Sequence, residues 1–231
     1  MTNLSGNEKS KYVQGLFTRI AGKYDLMNRL MTGGQDVRWR SEVIRRAALT
    51  SGERLLDLGA GTGDLARAAQ RKTPAAQVVA ADFTFEMMRV GRKPADAFGW
   101  ANADALALPF PDESFHALVS GYLMRNVIDQ LAVFREQYRV LKPGGRVVVL
   151  DTTRPGRSLL SPFIWLHMHL VIPILGTLLA GQRDDYIYLP ESTEAFLSAE
   201  ALAERMQTAG FKEVGFKRMM FGTMAIHWGI R

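Results

Sequence analysis

The sequence predicts an α/β domain in which helices cover both faces of a seven-stranded, mostly parallel sheet. Between Arg54 and Leu150, short apolar runs alternate with helix-like stretches, which is the pattern of strand–helix units in a parallel sheet. Two more apolar runs near the C-terminus would complete the sheet as a pair. A chain of 231 residues is long enough for one sizeable core, so we expect residues 1–231 to form a single domain.

Five apolar runs predict the parallel strands of a core at residues 54–152. In chain order these runs are RLLDL, QVVAAD, FGWANAD, HALVSG and RVVVLDT. Between the last two, the stretch QLAVFREQYRVL places apolar residues at helical spacing, and KPGG should end that helix. Residues 1–50 read as an amphipathic helical segment, which we expect to close over the core as an N-terminal lid.

The C-terminal part, residues 196–231, predicts a helix followed by the last two strands. The helix in SAEALAERMQTAGF should be capped by Ser198 and closed at Gly210. The runs KEVGFKRM and FGTMAIHWGI would then pair at the edge of the sheet. Residues 153–195 are left as an apolar, helical insertion after the fifth strand.

The composition limits the classes of function. Twenty-nine basic residues against 23 acidic ones give a net charge of +6, which favours an anionic surface such as lipid headgroups. The chain shows no basic run, zinc-ligand spacing or RNA-binding signature, which argues against nucleic acid as a partner. Without cysteine there is no disulfide and no Cys-ligated metal, and we expect no metal site. The N-terminus lacks a secretory signal pattern, so we expect a cytoplasmic protein.

The octapeptide DLGAGTGD, which follows the first strand, predicts a ligand-binding turn. Its glycines Gly59, Gly61 and Gly63 let the backbone turn sharply and approach a ligand closely. The spacing differs from the G-x-G-x-x-G of dinucleotide sites. Asp57 would attract an ammonium group and repel a phosphate, so the turn favours a ligand with a positively charged end.

Two more acids follow the next two strands. Asp82 ends the second strand, where an acid binds the ribose diol in dinucleotide folds. Asp104, beyond the third strand, is placed to accept a hydrogen bond from an adenine amino group. A nucleoside that carries an amino-acid tail and no phosphate is S-adenosylmethionine, which is the predicted cofactor. The other residues expected to border it are Thr62, Phe83, Ala105, Ser120 and Gly121.

The sequence is similar to the class I S-adenosylmethionine-dependent methyltransferases, whose sheet is Rossmann-like. More narrowly, it resembles the C-methyltransferases of ubiquinone and menaquinone biosynthesis, from about residue 14 onward. The stretches that carry the narrower resemblance are LFTRIAGKYDLMNRLMTGG with RW soon after, MRNV, YRVLKPGGRVVVLD, YIYLPES and AGFKEVGFKRMMFGTMAIHWGI.

The chain departs from that family's pattern at three positions. Leu123 stands where the family usually has a glycine two residues before its Arg-Asn pair. Gly121 replaces a common serine or asparagine near the end of the fourth strand, and Leu106 replaces a common acid. The first departure alters the wall of the expected substrate cavity, whereas the cofactor site is little affected.

The resemblance implies methylation of a ring carbon of a reduced, prenylated quinone precursor. Such a carbon is a weak nucleophile unless a ring oxygen donates electrons, so the substrate should be a quinol. Arg125 cannot act as a base, but it can hold a water molecule or stabilise a developing phenolate. Asn126 would orient the quinol oxygen. Tyr24, in the lid, is a candidate to stack on the substrate or to hydrogen-bond with it.

The stretch Ser158–Gln182 carries no charged residue, and its length meets the criterion for a membrane-spanning helix. However, Pro162 and Pro173 would break such a helix, and one span would separate the last two strands from their sheet. We therefore expect broken helices that roof the carboxyl end of the sheet, hold a prenyl tail and dip into a bilayer interface. The residues expected to contact the substrate are Trp165, Leu166, His169 and Tyr186.

Two alternatives stay open. The protein could methylate another lipid or small molecule, such as a phospholipid amine, since similar motifs occur there. It could also be a non-catalytic protein that binds the cofactor together with a lipid or a partner, although the intact glycine turn disfavours this. The head group, benzoquinol or naphthoquinol, is open as well, and a homodimer is possible.

Overall fold

Seven strands form one sheet in the computed structural model, which describes residues 6–154, 156, 161–171, 174 and 192–231. The strands are β1 (Arg54–Leu58), β2 (Gln77–Asp82), β3 (Gly99–Asn102), β4 (Phe115–Gly121), β5 (Leu141–Thr152), β6 (Lys212–Met219) and β7 (Met224–Ile230). Their order in space is β3-β2-β1-β4-β5-β7-β6. β7 is antiparallel to both of its neighbours, and the other neighbouring pairs are parallel. The predicted seven-stranded, mostly parallel sheet is confirmed.

Helices precede, connect and follow these strands. They are α1 (Gly6–Ile20), α2 (Tyr24–Met31), α3 (Asp36–Ala47), α4 (Asp64–Lys72), α5 (Phe85–Gly91), α6 (Gln130–Val140), α7 (Ser161–Leu166) and α8 (Ala199–Thr208). The predicted cap of α8 is confirmed, because the Ser198 hydroxyl oxygen accepts a hydrogen bond from the Ala201 amide at 3.2 Å. Asp129 caps α6 in the same way.

Both faces of the sheet are buried, because alternate residues of a strand point to opposite sides. In β1, Leu56 packs on the side of α6 and α8, whereas Leu55 packs on the side of α3 and α4. In β5, Val147 faces the first side and Val148 the second. This two-sided burial explains why the strands read as continuous apolar runs. It leaves the carboxyl ends of the parallel strands as the accessible edge for a ligand.

The start of β5 differs from the sequence-based expectation. The segment KPGG does not separate helix from strand, since β5 begins at Leu141, directly after α6. Phe115 pairs with Leu141, but Ala117 pairs with Arg146, so the intervening residues bulge out of the ladder. A Cβ atom on Gly145 would lie 2.7 Å from the carbonyl oxygen of Lys142, which requires a glycine in this bulge.

The insertion after β5 is helical at residues 161–171. α7 passes directly into a π-helical turn, His167–Val171. Most of the insertion, including Tyr186, lies outside the described residues. Among the residues that are described, no helix is long and apolar enough to cross a membrane.

Candidate active site

The glycine turn after β1 has the conformation that its sequence predicts. Gly59, Gly61 and Gly63 all have positive φ, at 70°, 55° and 86°, which is the region that glycine adopts without steric cost. The amide of Gly59 donates a hydrogen bond to the carbonyl oxygen of Ala81 at 2.8 Å and so fixes the turn to β2. A Cβ atom on Gly63 would lie 2.7 Å from the ring of Trp100. The turn therefore requires glycine because of its backbone conformation and because Trp100 leaves no space for a side chain at Gly63.

Asp57 lies beneath this turn and is completely buried. Its Oδ2 accepts a hydrogen bond from the amide of Ala66, in the first turn of α4, at 2.9 Å. Burial raises the pKa of Asp57 to about 7, and the nearby carboxylates of Asp82 and Asp64 add to the rise. Asp57 is not part of the cleft wall, so its predicted contact with an ammonium group stays a prediction. The observed role is to hold the N-terminus of α4 under the turn.

Asp82, at the end of β2, does reach the cleft. Its Oδ2 accepts a hydrogen bond from the amide of Gly61, and its Oδ1 accepts one from the amide of Thr84, both at 2.7 Å. Each carboxylate oxygen keeps a second lone pair with which it can accept from a hydroxyl group. Burial raises the pKa of Asp82 although the two amides oppose the rise. Its geometry fits a ribose diol at the rim of the glycine turn.

One cleft joins the ends of these strands and encloses about 820 Å³, part of which is open to solvent. Nine predicted site residues line it: Tyr24, Gly59, Gly61, Asp82, Phe83, Asp104, Ala105, Gly121 and Asn126. Five others are not among the lining residues: Asp57, Thr62, Gly63, Ser120 and Arg125. Leu123, expected in the wall of a substrate cavity, lines it as well. The lining residues that the sequence did not identify are Ser10, Val13, Phe17, Leu58, Thr84, Met87, Ala103, Leu106, Tyr122, Val127 and Ile128.

The part of the cleft where we predict the adenine to bind is formed by the segment after β3. Asp104 Oδ1 accepts a hydrogen bond from the amide of Leu106 at 2.9 Å, which closes a local turn and leaves Oδ2 for a ligand. The amide of Ala103 donates to the carbonyl oxygen of Asp82 at 3.0 Å. Because the acids at the ends of β2 and β3 are joined in this way, they can contact one nucleoside together.

The N-terminal helices lie over the cleft. Ser10, Val13 and Phe17, all on α1, supply part of its wall. Lys9 Nζ donates hydrogen bonds to the carbonyl oxygens of Arg125 and Val127, at 3.2 and 3.1 Å. These contacts tie α1 to the segment after β4.

The glycine turn is tied to the lid by α2. The Thr62 hydroxyl donates a hydrogen bond to Asp25 Oδ1 at 2.7 Å, and burial raises the pKa of that carboxyl. A Cβ atom on Gly91 would lie 2.5 Å from Thr62 Cα, so α5 packs closely against the turn from the other side. Thr62 therefore links lid and turn.

Arg125 is not among the residues that line the cleft, so its predicted role at the acceptor stays a prediction. Its Nη1 lies 2.8 Å from Asp151 Oδ1, and the two side chains are only 4% and 0% exposed. The guanidinium group is therefore buried in an ion pair. Asn126, by contrast, lines the cleft and donates from Nδ2 to the carbonyl oxygen of Tyr122 at 2.8 Å. Asp151, the acid near the end of RVVVLDT, can be recognised in the sequence, but no local pattern identifies Arg125 as its partner.

The predicted substrate roof is only partly described. Trp165 and Leu166 are 58% and 44% exposed, and the ring of Trp165 stacks on that of His169 with 4.9 Å between centroids. His169 Nε2 also lies 3.4 Å from Glu194 Oε1. None of these three residues belongs to the cleft wall, so their contact with a substrate stays a prediction. In the described part of the chain, no group of three or more acids and histidines is arranged to hold a metal ion.

The sheet order and the site together define the class of the protein. Only the seventh strand of the sheet is reversed, and one cleft is lined by a glycine turn after β1 and by acids after β2 and β3. This is the architecture of a class I S-adenosylmethionine-dependent methyltransferase. The chain belongs to the ubiE/COQ5 methyltransferase family, whose model matches residues 5–231.

Known proteins similar to this chain agree with that membership. It is 45% identical over 225 residues to the ubiquinone/menaquinone biosynthesis C-methyltransferase UbiE of Desulfotalea psychrophila, over 96% of this chain and 92% of that one. It is 43% identical over 220 residues to the demethylmenaquinone methyltransferase of Thermus thermophilus, a match that covers 94% of this chain and 100% of that one. A solved structure of Haemonchus contortus phosphoethanolamine N-methyltransferase 2 in complex with S-adenosyl-L-methionine shares the fold, with a TM-score of 0.63 and 16% sequence identity. That match covers 84% of this chain and 52% of the other. The predicted family, cofactor and enzyme class are confirmed.

Proposed function

We propose that the protein transfers the methyl group of S-adenosylmethionine to a ring carbon of a reduced, prenylated quinone precursor, either demethylmenaquinol or a precursor of ubiquinol. The observation that carries this proposal is a single cleft that is polar at one end and apolar at the other. Asp82 and Asp104 stand at the polar end, and Leu123, Val127 and Ile128 line the wall beyond the end of β4. The similarity to the two quinone methyltransferases supports the same substrate class.

The residues at the polar end fit the cofactor. Gly59 and Gly61 leave backbone space in the wall, because side chains there would meet Leu123 at 3.0 Å and Met87 at 3.1 Å. Asp82 and Asp104 offer carboxylate oxygens for the ribose hydroxyls and the adenine amino group. When bound, S-adenosylmethionine supplies a methyl group on a positively charged sulfur, which makes the carbon electrophilic.

The residues at the other end align the acceptor and exclude water. Methyl transfer is an in-line displacement, so positioning supplies much of the catalysis. Val13 and Phe17 close the cleft from the lid, and Asn126 can orient a ring oxygen. Arg125 does not line the cleft, but its positive charge acts on a residue that does. Burial raises the pKa of Tyr24, and the charge of Arg125 opposes that rise. The same charge favours a phenolate over a neutral quinol.

The prenyl tail of such a substrate requires an apolar surface outside the cleft. Trp165, Leu166, Leu170 and Val171 are exposed on the insertion, and the chain carries a net charge of +6. We therefore extend the proposal to reversible association with the cytoplasmic face of an anionic membrane, where the exposed apolar side chains contact the bilayer interface and the tail.

The proposal is tested by incubating the purified protein with methyl-labelled S-adenosylmethionine and reduced prenylated quinones. Demethylmenaquinol and the ubiquinol precursor are assayed separately, and mass spectrometry locates the new methyl group. We expect C-methylation of at least one reduced substrate and none of its oxidised form, which lacks the electron-donating oxygen. Methylation of a phospholipid amine in place of both quinols would overturn the proposal.

A further inference from the structure

Tyr122 has a backbone conformation that is rare for an aromatic residue. It follows β4 directly and has a φ of 62°, in the left-handed region that non-glycine residues seldom occupy. Its amide donates to the carbonyl oxygen of Leu150 at 2.7 Å, and its own carbonyl accepts from Asn126 Nδ2 at 2.8 Å. Hydrogen bonds on both sides therefore hold Tyr122 in this conformation. Such strained positions concentrate at functional sites.

The side chain of Tyr122 also carries an unsatisfied polar group. The residue lines the cleft, while its hydroxyl oxygen is buried and has no hydrogen-bond partner within the part of the chain that the structure describes. Burial raises the pKa of Tyr122, so the hydroxyl keeps its proton and remains a donor. A buried donor without a partner costs stability. The hydroxyl is therefore a donor that no described group of the protein satisfies, on a residue that lines the cleft.

Charged groups surround this hydroxyl on several elements. The guanidinium carbon of Arg125 lies 5.3 Å from the centre of the Tyr122 ring. Arg40 and Asp36, both on α3, and Tyr24, on α2, also act on it electrostatically. The two arginines favour a negative charge near the ring and Asp36 opposes it, and each arginine is itself paired with an acid, Arg125 with Asp151 and Arg40 with Asp36.

We propose that Tyr122 is a catalytic residue that donates a hydrogen bond to a ring oxygen of the acceptor and favours the ionised form of that oxygen. The inference rests on the proposed quinol substrate. A donor that faces an ionisable oxygen stabilises the charged form and lowers its pKa. The proton of that oxygen passes to solvent water, and the ionised oxygen raises electron density at the neighbouring ring carbon. This carbon attacks the methyl group while the methyl–sulfur bond breaks, so that S-adenosylhomocysteine leaves with the electron pair. The methylated carbon then loses its proton to water, and the electrons of its C–H bond restore the aromatic ring. The oxygen itself forms no new covalent bond.

The test compares Tyr122→Phe with the wild-type protein and with Tyr138→Phe. Tyr138 packs against Phe211 with 5.3 Å between ring centroids and does not line the cleft, so its variant is a matched control. Tyr122→Phe keeps the ring and the backbone requirement and removes only the hydroxyl. We expect kcat to fall roughly a hundredfold and the rising limb of the pH profile to move up by about one unit or more. Affinity for S-adenosylmethionine should not change.

Two measurements that do not depend on turnover complete the test. In the ligand-free protein, Tyr122→Phe should melt at the same temperature as wild type or higher, because an unpaired buried hydroxyl has been removed. The ionisation of a bound nitro-substituted naphthol, followed by its absorbance, should move to higher pH in Tyr122→Phe but not in Tyr138→Phe.

The outcomes separate this inference from the proposed function. If wild type does not methylate a reduced quinol, the proposed function fails. If wild type does so and Tyr122→Phe retains its kcat and pH profile, the role of Tyr122 is wrong. A lower melting temperature for Tyr122→Phe would show that the hydroxyl has a structural partner, which also overturns the inference.

Discussion

Arg125 and Asp151 form an ion pair at the carboxyl ends of β4 and β5, with 2.8 Å between Nη1 and Oδ1 and almost no exposure of either side chain. The backbone amide of Arg125 also approaches Asp151 Oδ2, at 3.3 Å. The pair therefore fixes the segment that carries Tyr122 and Asn126 into the cleft. A charge buried in this way is costly once its partner is removed.

We predict that Arg125→Ala lowers both stability and turnover. The free energy of unfolding should fall by roughly 3–5 kcal/mol, because Asp151 is left buried and uncompensated. Urea unfolding measures this loss, and the double variant Arg125→Ala/Asp151→Asn should recover part of it. At a temperature where the single variant is folded, turnover should fall roughly a hundredfold while cofactor affinity stays nearly intact. Full turnover in the folded variant would remove Arg125 from the mechanism.

Asp57 should make stability depend on pH. Its folded pKa of about 7 exceeds the value of 3.8 for an unperturbed aspartate, so the folded state binds the proton more tightly. The stabilisation is fully present below pH 4 and is lost as pH rises through 7, at about 1.4 kcal/mol per unit of pKa difference. Asp82 and Asp64 oppose ionisation, and Arg40 favours it.

Comparison with Asp57→Asn isolates this effect from the other carboxyls. The asparagine can still accept from the Ala66 amide but does not titrate in this range. Unfolding free energies between pH 4 and 8 should therefore decline more steeply for wild type than for Asp57→Asn. Parallel curves would mean that Asp57 has an ordinary pKa in the folded protein.

The sequence predicted more of the residues that line the cleft after β1, β2 and β3 than of those on the N-terminal lid and after β4. Asp82 and Asp104 could be placed because each follows a strand whose apolar run is local in the sequence, and parallel strands bring their carboxyl ends together. The contacts of Lys9 with the carbonyl oxygens of Arg125 and Val127 span more than a hundred residues, and no local pattern encodes them. The left-handed conformation of Tyr122 could not be predicted from the sequence either, because a positive φ would be expected at the neighbouring Gly121.

Asp82→Ala should weaken the binding of S-adenosylmethionine by about 2 kcal/mol, because a charge-assisted contact to the ribose is lost. The variant also frees the amides of Gly61 and Thr84, which the carboxylate holds at 2.7 Å. Titration calorimetry measures the affinity. Asp112→Ala, in which an exposed acid that pairs with Arg139 is removed, is the control and should bind normally. Equal affinity in the two variants would exclude Asp82 from the site.

Leu123 should limit the size of the acceptor ring. It lines the cleft and lies close to Gly59, where a Cβ atom would be only 3.0 Å from its side chain. Leu123→Gly should raise kcat/KM for a bulky ring relative to a compact one by about tenfold, the range for one or two methylene groups in a pocket. Leu106→Ala, on the cofactor side of the cleft, should leave that ratio unchanged. An unchanged ratio in Leu123→Gly would mean that the ring binds elsewhere.

The exposed residues of the insertion should recognise the prenyl tail. Trp165 and Leu166 present large apolar surfaces to solvent, and burying such side chains against a hydrocarbon chain contributes about 1.5–3 kcal/mol each. Replacing both with serine should raise KM for a long-tailed quinol at least tenfold and leave KM for a tailless analogue nearly unchanged. The tailless substrate and a thermal melt control for any loss of folding, which would harm both substrates alike. Equal losses for the two substrates would show that Trp165 and Leu166 do not contact the tail.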